Sequence, residues 1–373
     1  MNIHAAIARE PGKISVETMQ IEDPRADEIL VRLVATGLCH TDITSLEGIL
    51  PIPFPMVLGH EGAGLVEKVG SEVKSVKVGD HVVMTYDHCG HCRSCEAHAH
   101  TYCHDLPTIN FGGNRRDGSS PLSQDGAKIN GGFFGQSSFA TFAICTDRNI
   151  VKVPADIPLE ILGPLACGVQ TGAGAVVNSL QVTPGASFAV FGVGTVGLSA
   201  VMGARVVGAK TIIAVDVSEA RLKLARDLGA THTINGKSQD ALAEIMRITV
   251  SGVEFSLDTS GVQSVMEQSL AAIAPRGTCA WLAGVSPDMR VPVDPSFLLG
   301  GRKLRGIVEG DSHDPTKFIN QMIEWYRKGI FPFDRLIRFY PFEDISAAIH
   351  DSHIGETIKP VLRFGHSLET PKT

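Results

Sequence analysis

No run of basic residues interrupts this sequence, and its formal net charge is −7. Nucleic acid and anionic membrane surfaces are therefore excluded as expected partners. No apolar stretch reaches transmembrane length before a charge, a glycine or a proline breaks it. The opening MNIHAAIAREPGK lacks the layout of a secretory leader, because charge and proline arrive before any long apolar core. Internal repeats and low-complexity segments are missing too. These absences leave a cytoplasmic protein as the expectation. A chain of 373 residues with 43% hydrophobic content is enough for two domains, each with its own core.

What is present centres on Ser187 to Asp216. An apolar run, Phe188-Ala189-Val190-Phe191, reads as a buried strand. Glycines at Gly192, Gly194 and Gly197 follow, then a small-residue helix from Thr195 and a second strand, Thr211 to Val215, ending on Asp216. In this order, Gly192 permits a tight turn, Gly194 lets backbone approach a pyrophosphate and Gly197 allows close helix–strand packing. A helix N-terminus offers free N–H groups to that pyrophosphate, and Asp216 is placed to bond ribose hydroxyls. Strands alternate with helices from Val182 to Gly306, as in a doubly wound parallel sheet.

Eight cysteines are present, and in a reducing compartment their clustering points to metal rather than disulfides. Cys89, Cys92, Cys95 and Cys103 fall at C-x2-C-x2-C-x7-C, four thiolates that can close a tetrahedron around a structural zinc. An iron–sulfur cluster is the rival reading, but its third spacing and following proline are missing. His91, His98, His100 and His104 lie beside these cysteines as substitute ligands or as decoration of the lobe. Cys39 and His60, in Cys39-His40-Thr41-Asp42 and Gly59-His60-Glu61-Gly62, suit an open zinc site with three protein ligands, and Cys167 is the third candidate.

The first 35 residues carry short β-like runs separated by turns, as expected of a largely antiparallel, barrel-like domain. Residues 105–131 are rich in Gly, Ser, Asn and Asp and read as loop, with a lid as one role. Ile358 to Leu362 reads as a last strand returning to the first domain.

Taken together, the Cys39 and His60 segments, the four-cysteine lobe, Cys167 and the glycine triplet resemble the zinc-dependent medium-chain alcohol dehydrogenases over essentially the whole chain. Leu162-Gly163-Pro164-Leu165, Gly168 to Ala175 and Phe134-Gly135-Gln136-Ser137-Ser138-Phe139 are similar to the bacterial aryl-alcohol and geraniol dehydrogenases in particular. The resemblance implies an α/β fold: a Rossmann sheet over 161–310, and a largely β, GroES-like barrel domain over 1–160 and 311–373 carrying a zinc lobe at 88–104. It implies two zinc ions and NAD. Cys39, His60 and Cys167 would hold the catalytic zinc, Glu61 would approach it during ligand exchange, and Asp42 would orient His60. Thr41 would pass the alcohol proton outward while hydride moves to the nicotinamide. Thr44 stands where liver-type enzymes end their proton relay in histidine, so the path beyond Thr41 differs.

Further positions come from the same resemblance. His40 and Lys359 would lie near the pyrophosphate, and Thr171 and Val196 around the nicotinamide. Asp216 repels a 2′-phosphate, favouring NAD over NADP, with Arg221 a helical turn away. Phe133 and Phe134 would line the pocket, joined by Leu46, Phe54, Thr85 or Tyr86, and by Val285, which also falls beside the cofactor. Strand alternation would send the two phenylalanines to opposite faces, leaving one toward the zinc. The expected reaction is reversible oxidation of an aromatic or allylic primary alcohol to its aldehyde by a homodimer or homotetramer. Two other readings stand beside it. One is glutathione-dependent formaldehyde oxidation, for which Arg115 and Arg116 are the available cations. The other is a non-catalytic protein that binds NAD and zinc.

Overall fold

The computed structural model describes residues 1–282, 284 and 288–365. Val285 lies outside the described residues. The chain forms two units, each taken by itself below: Met1–Cys167 with His313–Gln321 and 334 onward, and Gly168–Ser312 with Met322–Phe333. The boundaries differ from those expected: 161–167, with Cys167, group with the first unit, while 311–312 and 322–333 group with the second.

In the first unit, the strands Asn2–Glu10 and Lys13–Ile21 form an antiparallel pair at the centre of a five-stranded sheet. A second sheet of seven strands is built around Glu28–Gly37, which pairs antiparallel with Glu61–Val69 on one side and with Phe142–Thr146 and Lys359–Arg363 on the other. Inward residues such as Ile7, Met19, Leu33, Met84 and Phe139 fill one apolar core. Register shifts near Leu30 and Leu33 mark bulges that add local twist. Beyond them the pairing sets Gly37 opposite Glu61 and Val361 opposite Gly37, which brings three distant segments to one sheet end.

Residues 105–131 are not a featureless loop. They hold a helix, Leu106–Phe111, and a small hairpin, Leu122–Gln124 with Ala127–Ile129, that extends the first sheet. Phe133 and Phe134 do not alternate along a strand, because Phe133–Gly135 is a 3-10 turn in which Phe134 has φ 51° and ψ 33°. The stretch around Cys167 is broken: a 3-10 turn, Gly163–Ala166, ends at Cys167, and a helix, Gly168–Gly174, begins after it.

The second unit contains a six-stranded parallel sheet in the order His232–Asn235, Thr211–Asp216, Ser187–Phe191, Val253–Asp258, Ile273–Trp281, Lys303–Gly306. Helices Thr195–Val206, Glu219–Leu228, Ala241–Thr249 and Gln263–Ala271 connect strands of this sheet. The order reverses between Ser187–Phe191 and Val253–Asp258, the switch point of a doubly wound sheet. Phe188 through Phe191 are fully buried, as a central strand covered on both faces requires.

Candidate active site and metal centres

Cys39 caps the helix His40–Leu46, and the capping contact is what assembles the site. Three residues on, Asp42 turns its carboxylate back. Oδ2 accepts the Cys39 N–H at 2.9 Å, and Oδ1 accepts the Gly59 N–H at 3.1 Å and faces His60 Nδ1 at 2.9 Å. One buried carboxylate thus fixes the backbone of two ligand segments and the tautomer of the histidine. Gln136, also buried, does similar work from the far side: Oε1 accepts the Gly62 N–H, and Nε2 donates to the carbonyls of His60 and Thr85.

The result is a cluster in which one ligating atom each from Cys39, His60, Glu61 and Cys167 lie within 4.8 Å of one another. His60 Nε2 is buried in it and, among the described residues, meets no hydrogen-bond partner other than the neighbouring thiols. A buried imidazole nitrogen aimed at two thiols is the signature of a metal ligand, and two sulfurs with one imidazole suit an open zinc site. Hydrogen bonding with Cys167, outweighing burial and aided by His60, holds the Cys39 thiol well below its usual range, so it is poised as a thiolate ligand.

Glu61 is turned toward Lys359. The ammonium nitrogen lies 2.9 Å from both carboxylate oxygens and 3.0 Å from the Leu38 carbonyl, with both side chains buried. Burial opposes the lysine's charge, yet Glu61 and the Cys39 sulfur push its pKa up to about 12. Gly37 makes room for this pair, since a Cβ there would meet Glu61 Oε2 at 1.9 Å. Lys359, expected beside the pyrophosphate, is thus buried and paired with Glu61.

The second centre brings together Cys89, Cys92, Cys95 and Cys103, again with ligating atoms within 4.8 Å. Backbone N–H groups point at its sulfurs: Cys89 to Cys103, Cys92 and His91 to Cys89, and His104 to Cys92. Four thiolates held this way fit a closed structural zinc. The neighbouring histidines serve other contacts. His91 bonds the Cys89 carbonyl, His100 bonds the His313 carbonyl and His98 packs edge-on against His100.

In the second unit the glycine triplet has the geometry a dinucleotide needs. Gly192 has φ 84°, and a Cβ on Gly197 would sit 2.0 Å from the Gly192 carbonyl oxygen. A Cβ on Gly194 would meet only open space, which is the room a pyrophosphate would take at the start of Thr195–Val206. Asp216 accepts N–H groups from Val193, Val217 and Ser218 at 2.7–2.9 Å, so its carboxylate is fixed at the strand end. Arg221 follows in the next helix, its Nε buried and without a hydrogen-bond partner among the described residues. Val196 lies in the first turn after the triplet. Thr171, on Gly168–Gly174, donates to Glu309 Oε2 at 3.3 Å, and Gln170 donates to the same oxygen at 3.2 Å. Glu309 carries no sequence signal, and Gln136 appears in sequence only within a segment of family resemblance; the role of each is recognisable only once its partners are in place.

The expected pocket residues divide. Phe134 stacks on His60 with centroids 4.4 Å apart, and Phe133 meets the same ring edge-on at 5.7 Å. Phe111, from the unexpected helix, packs edge-on against both phenylalanines. Leu46 and Tyr86 are buried in the core, Phe54 packs on it half-buried, and Thr85 donates to the Ala166 carbonyl at 2.7 Å. His40 is exposed, Thr41 is half-buried near the Cys39 sulfur, and Thr44 donates back to the His40 and Thr41 carbonyls. Arg115 is taken up by Glu28 and Glu22, and Arg116 by the His88 and Cys89 carbonyls. Arg115 is thus neutralised by carboxylates, whereas Arg116 is exposed and bonded to carbonyls. A cavity of about 640 Å³ lined by Arg115, Arg116, Asp87 and Cys145 adjoins the four-cysteine lobe, away from Cys39 and His60.

An antiparallel β unit carrying an open thiolate–imidazole centre and a closed four-thiolate centre, with a dinucleotide-type parallel sheet, defines a zinc-dependent oxidoreductase. Residues 25–155 match the alcohol dehydrogenase GroES-like domain, and 195–326 match the zinc-binding dehydrogenase domain. The chain is 45% identical to geraniol dehydrogenase of Castellaniella defragrans over 98% of each. Among solved structures, it is similar to an alcohol dehydrogenase zinc-binding domain protein from Burkholderia ambifaria, with 50% identity, TM-score 0.96 and coverage of 98% of this chain and 100% of that one. It is also similar to benzyl alcohol dehydrogenase from Acinetobacter calcoaceticus, at 44% identity, TM-score 0.95 and the same coverage. The chain belongs to the zinc-dependent alcohol dehydrogenases.

Proposed function

We propose that this enzyme uses NAD to oxidise aromatic or allylic primary alcohols, terpenoid ones included, to aldehydes, and runs the reverse reaction when NADH is in excess. The observation that carries the substrate class is the aromatic group at the metal ligand: Phe133 and Phe134 both reach His60, and Phe111 closes behind them. The names of the geraniol and benzyl alcohol relatives point the same way. An apolar wall favours a flat ring or an allylic chain at about 25 cal/mol per Å² of area buried, and ethanol exposes too little surface to use it.

Cys39, His60 and Cys167 would hold the catalytic zinc, and Cys89, Cys92, Cys95 and Cys103 the structural one. When bound, zinc supplies Lewis-acid polarisation of an alcohol oxygen and NAD accepts the hydride. Asp42 keeps the proton on His60 Nδ1, leaving Nε2 as the ligand atom. Thr41 would relay the alcohol proton, its hydroxyl passing its own proton outward as it accepts the new one. Lys359 holds the Glu61 carboxylate by charge, and Glu61 is freed toward the sulfurs only when that contact loosens. Gly194 and the helix after it receive the pyrophosphate, and Asp216 receives the adenosine ribose.

Homodimer or homotetramer assembly belongs to the same proposal. It is supported by Lys303–Gly306, which pairs on one side only in its sheet, and by Leu299, 88% exposed close by in sequence. Eight cysteines without a disulfide fit a reducing, cytoplasmic setting. Steady-state kinetics with NAD over a panel of alcohols tests the substrate reading. Benzyl alcohol and geraniol should exceed ethanol in kcat/KM by tenfold or more, mainly through KM, since roughly 1.4 kcal/mol of added apolar burial is enough for that factor. Ethanol turnover equal to theirs would overturn the substrate class.

A further inference from the structure

Phe134 is bulky, yet its backbone sits in the left-handed region at φ 51° and ψ 33°. For a residue with a Cβ this conformation is unfavourable, and it persists only where surroundings impose it. They do so here. Asn149, fully buried, donates from Nδ2 to the carbonyls of Phe134 and Gly135 at 3.3 and 3.1 Å. The Ser137 hydroxyl accepts the Phe133 N–H and donates to the Val57 carbonyl. The outcome is that the Phe134 ring lies nearly flat on the His60 imidazole, with 23° between planes, while Phe133 meets it from the side.

His60 needs such a contact. Its Nδ1 is held by Asp42, but one hydrogen bond fixes one corner of the ring, and the terminal torsion of histidine is broad. Its Nε2 is buried beside the Cys39 and Cys167 sulfurs. We propose that Phe134 is a positioning residue for the metal ligand: its flat face fixes the plane of the His60 ring, keeps Nε2 directed at the Cys39 and Cys167 sulfurs, and so sets how firmly this site keeps its metal. The inference rests on the reading of Cys39, His60 and Cys167 as metal ligands, and goes beyond Phe134 as a wall of the alcohol pocket.

The test is the rate at which each zinc leaves the protein under a chromogenic chelator, with the phase from the open site identified by its loss in Cys167→Ala. Phe134→Gly suits it, because glycine adopts the same backbone without strain and removes only the ring. Release from the open site should accelerate about tenfold, as for other groups that orient a ligand, with the four-cysteine phase and the far-UV circular dichroism unchanged. Phe134→Leu keeps apolar bulk without a flat face and should fall between the two. Cobalt placed in the open site should show a shifted visible spectrum in Phe134→Gly. If the glycine variant does not fold, the leucine variant decides alone by the same rate. Release from the open site at the wild-type rate in the folded variants overturns the proposal, leaving Phe134 a pocket wall. Wild-type protein carrying a single zinc overturns the underlying metal reading as well.

Discussion

Asp42 gathers into one carboxylate the contacts that two separate ligand segments require. Oδ2 faces one N–H and Oδ1 faces two donors, so neither oxygen tolerates replacement by an amide nitrogen. Asp42→Asn should lower affinity for the open-site zinc by roughly ten- to hundredfold while the four-cysteine zinc stays, as chelator titration would read. Asp216 makes a second residue-scale prediction. Its oxygens are fixed by three N–H groups, and its charge disfavours a 2′-phosphate. The wild type should prefer NAD, and Asp216→Ser should narrow the NAD to NADP ratio of kcat/KM mainly by raising KM for NAD. Equal use of both cofactors by the wild type would contradict this. The residue types of the metal sites were readable because cysteine and histidine at those spacings have few other uses. Lys359 was not, since nothing in Ile358-Lys359-Pro360 says that a strand pairing will bury its ammonium against Glu61.

At the scale of elements, the parallel sheet was legible because its strands are apolar runs and its helices are long enough to show their period. The segment 105–131 was not. A six-residue helix and two three-residue strands are shorter than any periodicity can register, and turn residues dominate between them. Its anchor is Arg115, whose side chain is 9% exposed against Glu28 at 7%. Breaking a buried pair from one side leaves a charge without its partner, so Arg115→Ala should cost about 3 kcal/mol in urea unfolding. Arg116→Ala, an exposed residue bonded only to carbonyls, should cost far less. The four-cysteine lobe makes a parallel prediction. Cys95→Ala should lower thermal stability, because closing thiolates around zinc contributes folding energy directly. Activity at temperatures below the new transition should survive better than in any open-site variant.

For the whole molecule, two cores were foreseeable from length and composition, but one division of the tail was not. The helix Pro315–Arg327 reads as one amphipathic element, yet its first residues group with the β unit and its last with the parallel-sheet unit. Sequence pattern reports which face of a helix is apolar, not which core that face will meet. The proposed enzyme depends on two metals with different jobs in one chain. The measurement that tests it most directly is zinc content by elemental analysis of wild type and Cys167→Ala, each assayed for benzyl alcohol oxidation with NAD. The wild type should hold two zinc ions per chain and turn over; Cys167→Ala should remain folded, hold about one, and show no turnover. Full activity in wild-type protein with one zinc or none, or in Cys167→Ala, would contradict the account.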